Sequence, residues 1–162
     1  SPDPMARLRL AERARHLAGR ELFIKLWLVP AWIGLGLASL AITTLAFKRI
    51  APRLGTFCGL TKPIATASAN QERRARQIGR TVQLAARYAP WRSDCYPQAI
   101  VARLLLGIYR LPFAVSMGIK RDAATGEAKA HAWVECGQIC VTGGDGGREY
   151  SVVAVFACTG RG

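Results

Sequence analysis

Acidic residues are scarce in this chain: ten Asp and Glu stand against 23 Lys and Arg, a formal net charge of +13 over 162 residues. Such an excess suits a nucleic acid, an anionic membrane surface or an acidic peptide. The usual signatures of nucleic-acid binders are also missing. Arginine is scattered rather than gathered into Lys/Arg blocks, no zinc-finger or RNA-recognition pattern is present, and the aromatics do not alternate with basic residues. Nucleic acid is therefore not expected as a partner, whereas a solvated basic face that docks an acidic partner is. Five cysteines is an odd count, and no secretory signal peptide is visible, so a disulfide framework is not expected and a reduced, cytoplasmic setting is. Cys136 and Cys140 would need a second ligand pair to hold zinc, and only Cys58, Cys158 and His16 remain for it; no metal is expected. The loop from Gly143 to Gly147 lacks the Lys-Ser/Thr of a phosphate loop and reads as a turn, so no nucleotide cofactor is expected either.

What is present falls into three stretches: a helical N-terminal region over 5–50, a linker over 51–70 and a catalytic domain over 71–162. In the first, Leu8, Leu10, Ala14 and Leu17 recur near helical spacing, and Leu26 to Phe47 then runs without a charge between Lys25 and Lys48-Arg49. That run has about the length a bilayer-spanning helix requires, with Trp27 and Trp32 near one end. Pro30 and the polar Ser39, Thr43 and Thr44 weigh against a span. A buried helix, a partner-covered hairpin and a membrane-associated helix over 26–47 stand as alternatives. Gln71 to Tyr88 resumes a helical pattern, with Ile78, Val82 and Ala85 on one face and most arginines off it. Ala89-Pro90 ends it.

A second helix is expected over Tyr96 to Tyr109, where Ile100, Val101, Leu104, Leu105 and Ile108 form an apolar stripe. Ser93 or Asp94 can cap it, and Pro97 suits its first turn. Beyond Leu111-Pro112 the period becomes that of strands: Phe113–Ile119, Ala130–Cys136, Ile139–Thr142 and Tyr150–Ala157. The economical architecture is α+β, a helix packed on an antiparallel sheet.

The chemistry concentrates at two residues. Cys95 falls at a helix start, where the macrodipole favours thiolate and free backbone amides can receive an oxyanion. His131 opens the strand Ala130-His131-Ala132-Trp133-Val134, with Trp133 on its face. Folded together they would supply nucleophile and general base, as in a papain-like or transglutaminase-like site. A third group should fix the imidazole tautomer; Asp145, returning on the next strand segment, is the candidate, with Glu135 and Asp122 as weaker ones.

The strings Pro90-Trp91-Arg92-Ser93-Asp94-Cys95-Tyr96-Pro97-Gln98-Ala99, Leu104-Leu105-Leu106-Gly107, and Gly118-Ile119-Lys120-Arg121-Asp122 followed by Ala130-His131-Ala132-Trp133-Val134-Glu135 resemble the transglutaminase-like leader peptidases of lasso-peptide biosynthesis, over roughly residues 71–156. The resemblance implies a Cys-His-Asp cysteine endopeptidase with Cys95 as nucleophile and His131 as base. Its substrate would be a ribosomally made precursor peptide. Its partners would be a leader-binding recognition protein, separate from this chain, and a cyclase that consumes the ATP; the peptidase itself would need no cofactor. The family's acidic third residue usually follows on the next strand. Here Thr142-Gly143-Gly144 occupies that place and Asp145 comes slightly later. A transglutaminase-like acyltransferase and a membrane-associated scaffold of a peptide maturation complex are the alternative functions.

Overall fold

A largely apolar run of twenty-odd uncharged residues needs somewhere to be buried, and here a single long helix lays one of its faces on the rest of the protein. The computed structural model describes residues 4–63, 66–144 and 146–159. Helix α1 spans Pro4–Thr44 and continues through Pro30. Pro30 and Leu26, one turn before it, are both exposed. The carbonyl that loses its amide partner at the proline is therefore on the wet side, and the helix survives. On the inner side Phe23, Ala31, Leu35 and Ala38 are buried. On the outer side Leu22, Leu26, Val29, Ile33, Leu37 and Leu40 form an exposed stripe. Residues Leu22–Thr44 are long and apolar enough to cross a membrane by length and composition.

The chain then makes α2 (Phe47–Ile50), a 3₁₀ turn (Ala51–Arg53) and a two-residue strand β1 (Thr56–Phe57). Helix α3 (Ala69–Arg87) starts at a capping box: the Gln71 amide donates to Ser68 Oγ at 3.3 Å, and the Ser68 amide donates to Gln71 Oε1 at 2.8 Å. Ala75, Ile78, Val82 and Ala85 face inward, while Arg73, Arg76, Arg80 and Arg87 face solvent. Helix α4 (Cys95–Ile108) follows, then β2 (Phe113–Arg121), β3 (Ala128–Cys136), β4 (Ile139–Thr142), the short α5 (Gly146–Glu149) and β5 (Ser151–Cys158).

The sheet has the order β1-β5-β2-β3-β4 and every pairing is antiparallel. The four expected strands are all present. The fifth, β1, lies in the stretch read as linker and pairs Thr56 and Phe57 with Ala157 and Phe156. Inward residues of α1 share one core with α3, α4 and the helix side of the sheet, including Phe113, Val115, Met117, Ala132 and Val134. Strand alternation then turns His131, Trp133 and Glu135 to the other side. At Gly79 of α3 a Cβ would overlap the Val141 carbonyl, so a glycine lets this helix lie directly on β4. The fold is thus α+β, with a helical layer on one face of an antiparallel sheet.

Candidate active site

Pairing between β3 and β4 begins at Val134–Thr142, so β3 has no β4 partner beside His131 and Ala132. Helix α4 brings its N-terminus to that gap. Cys95 is the first residue of α4, and its half-buried thiol receives the backbone amide of Ala132. The expected side-chain cap is not made. Asp94 stands at the cap position but its carboxylate bonds the exposed Arg92 guanidinium at 3.0 Å instead. Ser93 Oγ turns back to the Trp91 carbonyl at 3.5 Å. With no side-chain cap, and with Pro97 lacking an amide, the N–H groups of Cys95 and Tyr96 sit at the open end of the helix, where both favour the thiolate. An oxyanion formed at a carbonyl attacked by Cys95 would develop beside those donors.

The electrostatics of the thiol differ from the helix-dipole expectation. Burial pushes the Cys95 pKa up, and the neighbouring Asp94 carboxylate adds to the rise; the amides of Ala132, Tyr96 and Cys95 itself pull the other way without reversing it. The resting nucleophile is accordingly a thiol, whose proton must leave as attack begins. The sign gives a prediction. Thiolate is scarcer at neutral pH than for an ordinary cysteine, so alkylation of Cys95 by iodoacetamide should keep accelerating well into the alkaline range. Asp94→Asn removes one charge that opposes ionisation and should shift that profile to lower pH, speeding labelling at pH 7 by a factor of roughly two to five. Mass spectrometry of the peptide that carries Cys95, after digestion of the labelled protein, measures both rates apart from labelling at the exposed Cys140 and Cys158.

His131 is held from one side only. Its Nε2 lies 2.7 Å from the Gly143 carbonyl oxygen. A carbonyl has no proton to give, so this bond requires the Nε2–H tautomer and leaves Nδ1 as the basic nitrogen. Trp133 and Tyr150 wall the ring, with centroids 6.0 and 4.9 Å away. The thiol thus meets the amide that follows His131 from the helix side of β3, whereas the imidazole leaves the same strand on the opposite side. No hydrogen bond joins them directly among the described residues.

Asp145, the expected third group, lies outside the described residues. Of the weaker candidates, Glu135 is engaged with Lys62 at 3.0 Å, and Asp122 with Lys129 at 2.6 Å and the Ala124 amide at 2.9 Å. The orienting contact that is present comes from the Gly143 backbone, which the sequence reading treated only as part of a turn. The turn itself is braced by Cys140, whose Sγ lies 3.1 Å from the Gly144 carbonyl oxygen. Nothing in the residue types marks a backbone carbonyl. Among the described residues no group of His, Cys, Asp and Glu is arranged to hold a metal.

Set on these elements, a cysteine opening a buried helix and a histidine on the strand beside it match a family model described as the transglutaminase-like superfamily, over residues 41–155. The chain belongs to the transglutaminase-like superfamily. No curated protein and no solved structure gives a match. The span matched to the transglutaminase-like superfamily takes in the end of α1, the thiol, the histidine and most of β5. Members of this superfamily are typically cysteine-dependent enzymes, and the fold fits cysteine protease or acyltransferase chemistry in general.

Proposed function

We propose that this protein is a cysteine endopeptidase that removes the leader from a ribosomally synthesised lasso-type precursor, together with a leader-binding partner and an ATP-dependent cyclase. The carrying observation is the Cys95 thiol at an uncapped helix N-terminus, against the amide that follows His131. Cys95 sulfur attacks the carbonyl at the leader–core junction while His131, swung round the edge of β3 that β4 leaves unpaired, takes its proton. The same proton then goes to the departing core amine as the C–N bond breaks, leaving a leader thioester. Water, deprotonated by His131, hydrolyses the thioester and frees the leader carboxylate. The Gly143 carbonyl fixes the tautomer at Nε2, and Asp145, two residues on in sequence, is proposed as the acidic third member whose charge stabilises the imidazolium. The basic surface serves to dock the partner or an acidic leader.

Mass spectrometry of a candidate precursor, incubated with this chain and a leader-binding protein, tests the reading. A free leader ending in a carboxylate is expected. A leader joined to an added amine would instead establish the acyltransferase. The scaffold reading draws on the exposed stripe of α1; flotation with anionic vesicles combined with an unreactive Cys95 would favour it.

A further inference from the structure

Position Ala99 is one helical turn beyond Cys95, on the same face of α4. It opens into a cavity of roughly 370 Å³. The cavity runs between α4, β2 and the end of α1, and its walls are mostly apolar, among them Leu45, Ile50, Leu54, Tyr96, Ala99 and Met117. Two of these connect it with the nucleophile. Tyr96 is the next residue along the chain, and Met117 sits opposite Ala132, whose amide meets the Cys95 thiol. The cavity is open to solvent at Leu45, and ligand pockets begin at about 300 Å³.

We infer that this cavity is a specificity pocket taking one bulky apolar side chain, aromatic or branched aliphatic, of the peptide residue that flanks the scissile bond. The inference rests on Cys95 being the nucleophile of the proposed function, and it adds the substrate class. The occupant is a peptide side chain rather than a free apolar molecule because the cavity adjoins the thiol through two separate elements. A chain lying against the α4 N-terminus therefore has its scissile carbonyl at Cys95 and a neighbouring side chain at Ala99. No charged residue lines the cavity, despite the basic excess elsewhere, so an acidic or basic side chain entering it would be desolvated without a partner.

Chloroacetamides test this without any precursor or partner protein. N-phenethyl and N-methyl chloroacetamide share one reactive group, and mass spectrometry of the digested protein, read on the peptide that carries Cys95, gives the rate at which each labels it beside the exposed Cys140 and Cys158. The phenethyl reagent should react about 10- to 200-fold faster at low concentration, the usual discrimination of an apolar pocket. Ala99→Phe fills the cavity and should erase that advantage. Leu45→Asp, at a rim residue 39 % exposed, should reduce it without threatening the fold, which circular dichroism verifies. Equal rates in the unsubstituted protein, an advantage surviving both substitutions, or a Cys95 that neither reagent labels would overturn the inference. So would a gain confined to a decyl reagent, which assigns the cavity to a lipid chain. If the apolar preference holds while the precursor is not cut, the pocket stands and the leader-peptidase reading falls; cleavage without the preference has the opposite meaning.

Discussion

Cys95→Ala should give a folded protein that no longer cuts its precursor, and His131→Ala should lose nearly as much. The sulfur is the atom that bonds to substrate in the proposed chemistry, and alanine offers nothing in its place. His131 is the only imidazole at the site, since the chain's other histidine, His16, belongs to α1. Groups that act as a unit in nucleophilic catalysis typically cost about 10⁴- to 10⁶-fold in kcat when either is removed, and the second removal adds little. The double variant should therefore be no slower than the worse single one. The raised thiol pKa strengthens the demand on histidine: a nucleophile that rests protonated depends on its base at the moment of attack. Cys95 is only half buried, so replacing sulfur by hydrogen should cost about 1 kcal/mol of stability or less. Cleavage followed by mass spectrometry, beside a thermal melt of each variant, separates lost chemistry from lost fold. A Cys95→Ala protein that melts normally and still releases leader would remove Cys95 from the mechanism.

The strands, the two core helices and the position of Cys95 were legible because each rests on a local signal. Alternation in Ala130–Cys136, the apolar stripe of Tyr96–Tyr109 and the breaks at Pro90 and Pro112 are set by neighbours in sequence. The start of α3 was also available in principle, since Ser68 and Gln71 form a capping pair three residues apart. Other features depend on long-range packing. The two residues of β1 have no period of their own and become a strand only against Phe156 and Ala157. Pro30 looks like a break, yet its ring and the carbonyl it orphans face outward, which no linear pattern reveals. The side chain of Asp94 reads as a cap but finds Arg92 first. The apolar run of α1 splits into a buried face and an exposed stripe only once α3 and α4 lie beneath it. The cavity beside Ala99 likewise exists only where three distant segments meet.

Gly143→Ala should be the most damaging change outside the reacting pair. Gly143 has φ +92°, in the region that L side chains rarely adopt. A Cβ there would lie 2.6 Å from the Ala132 carbonyl oxygen and from the Trp133 Cα, well inside van der Waals contact. The turn must move away from β3 to admit it. The carbonyl that holds His131 Nε2 is part of that turn, so the imidazole would lose the bond that selects its tautomer. Loss of such a hold on a catalytic histidine is associated with falls in kcat of about 10²- to 10⁴-fold. Gly144→Ala supplies the control. Its φ of +57° is also left-handed, but a Cβ there meets nothing within 4 Å. It should cost about 1 kcal/mol in backbone strain, leave the Gly143 carbonyl in place and keep most of the activity. Stability alone would not tell the two apart, so the readout is the imidazole itself: nitrogen NMR should show the Nε2–H tautomer in the unsubstituted protein and in Gly144→Ala, and a mixture in Gly143→Ala. Full cleavage by Gly143→Ala, or an unchanged tautomer, would mean that another group orients the base and that the carbonyl contact is incidental to it.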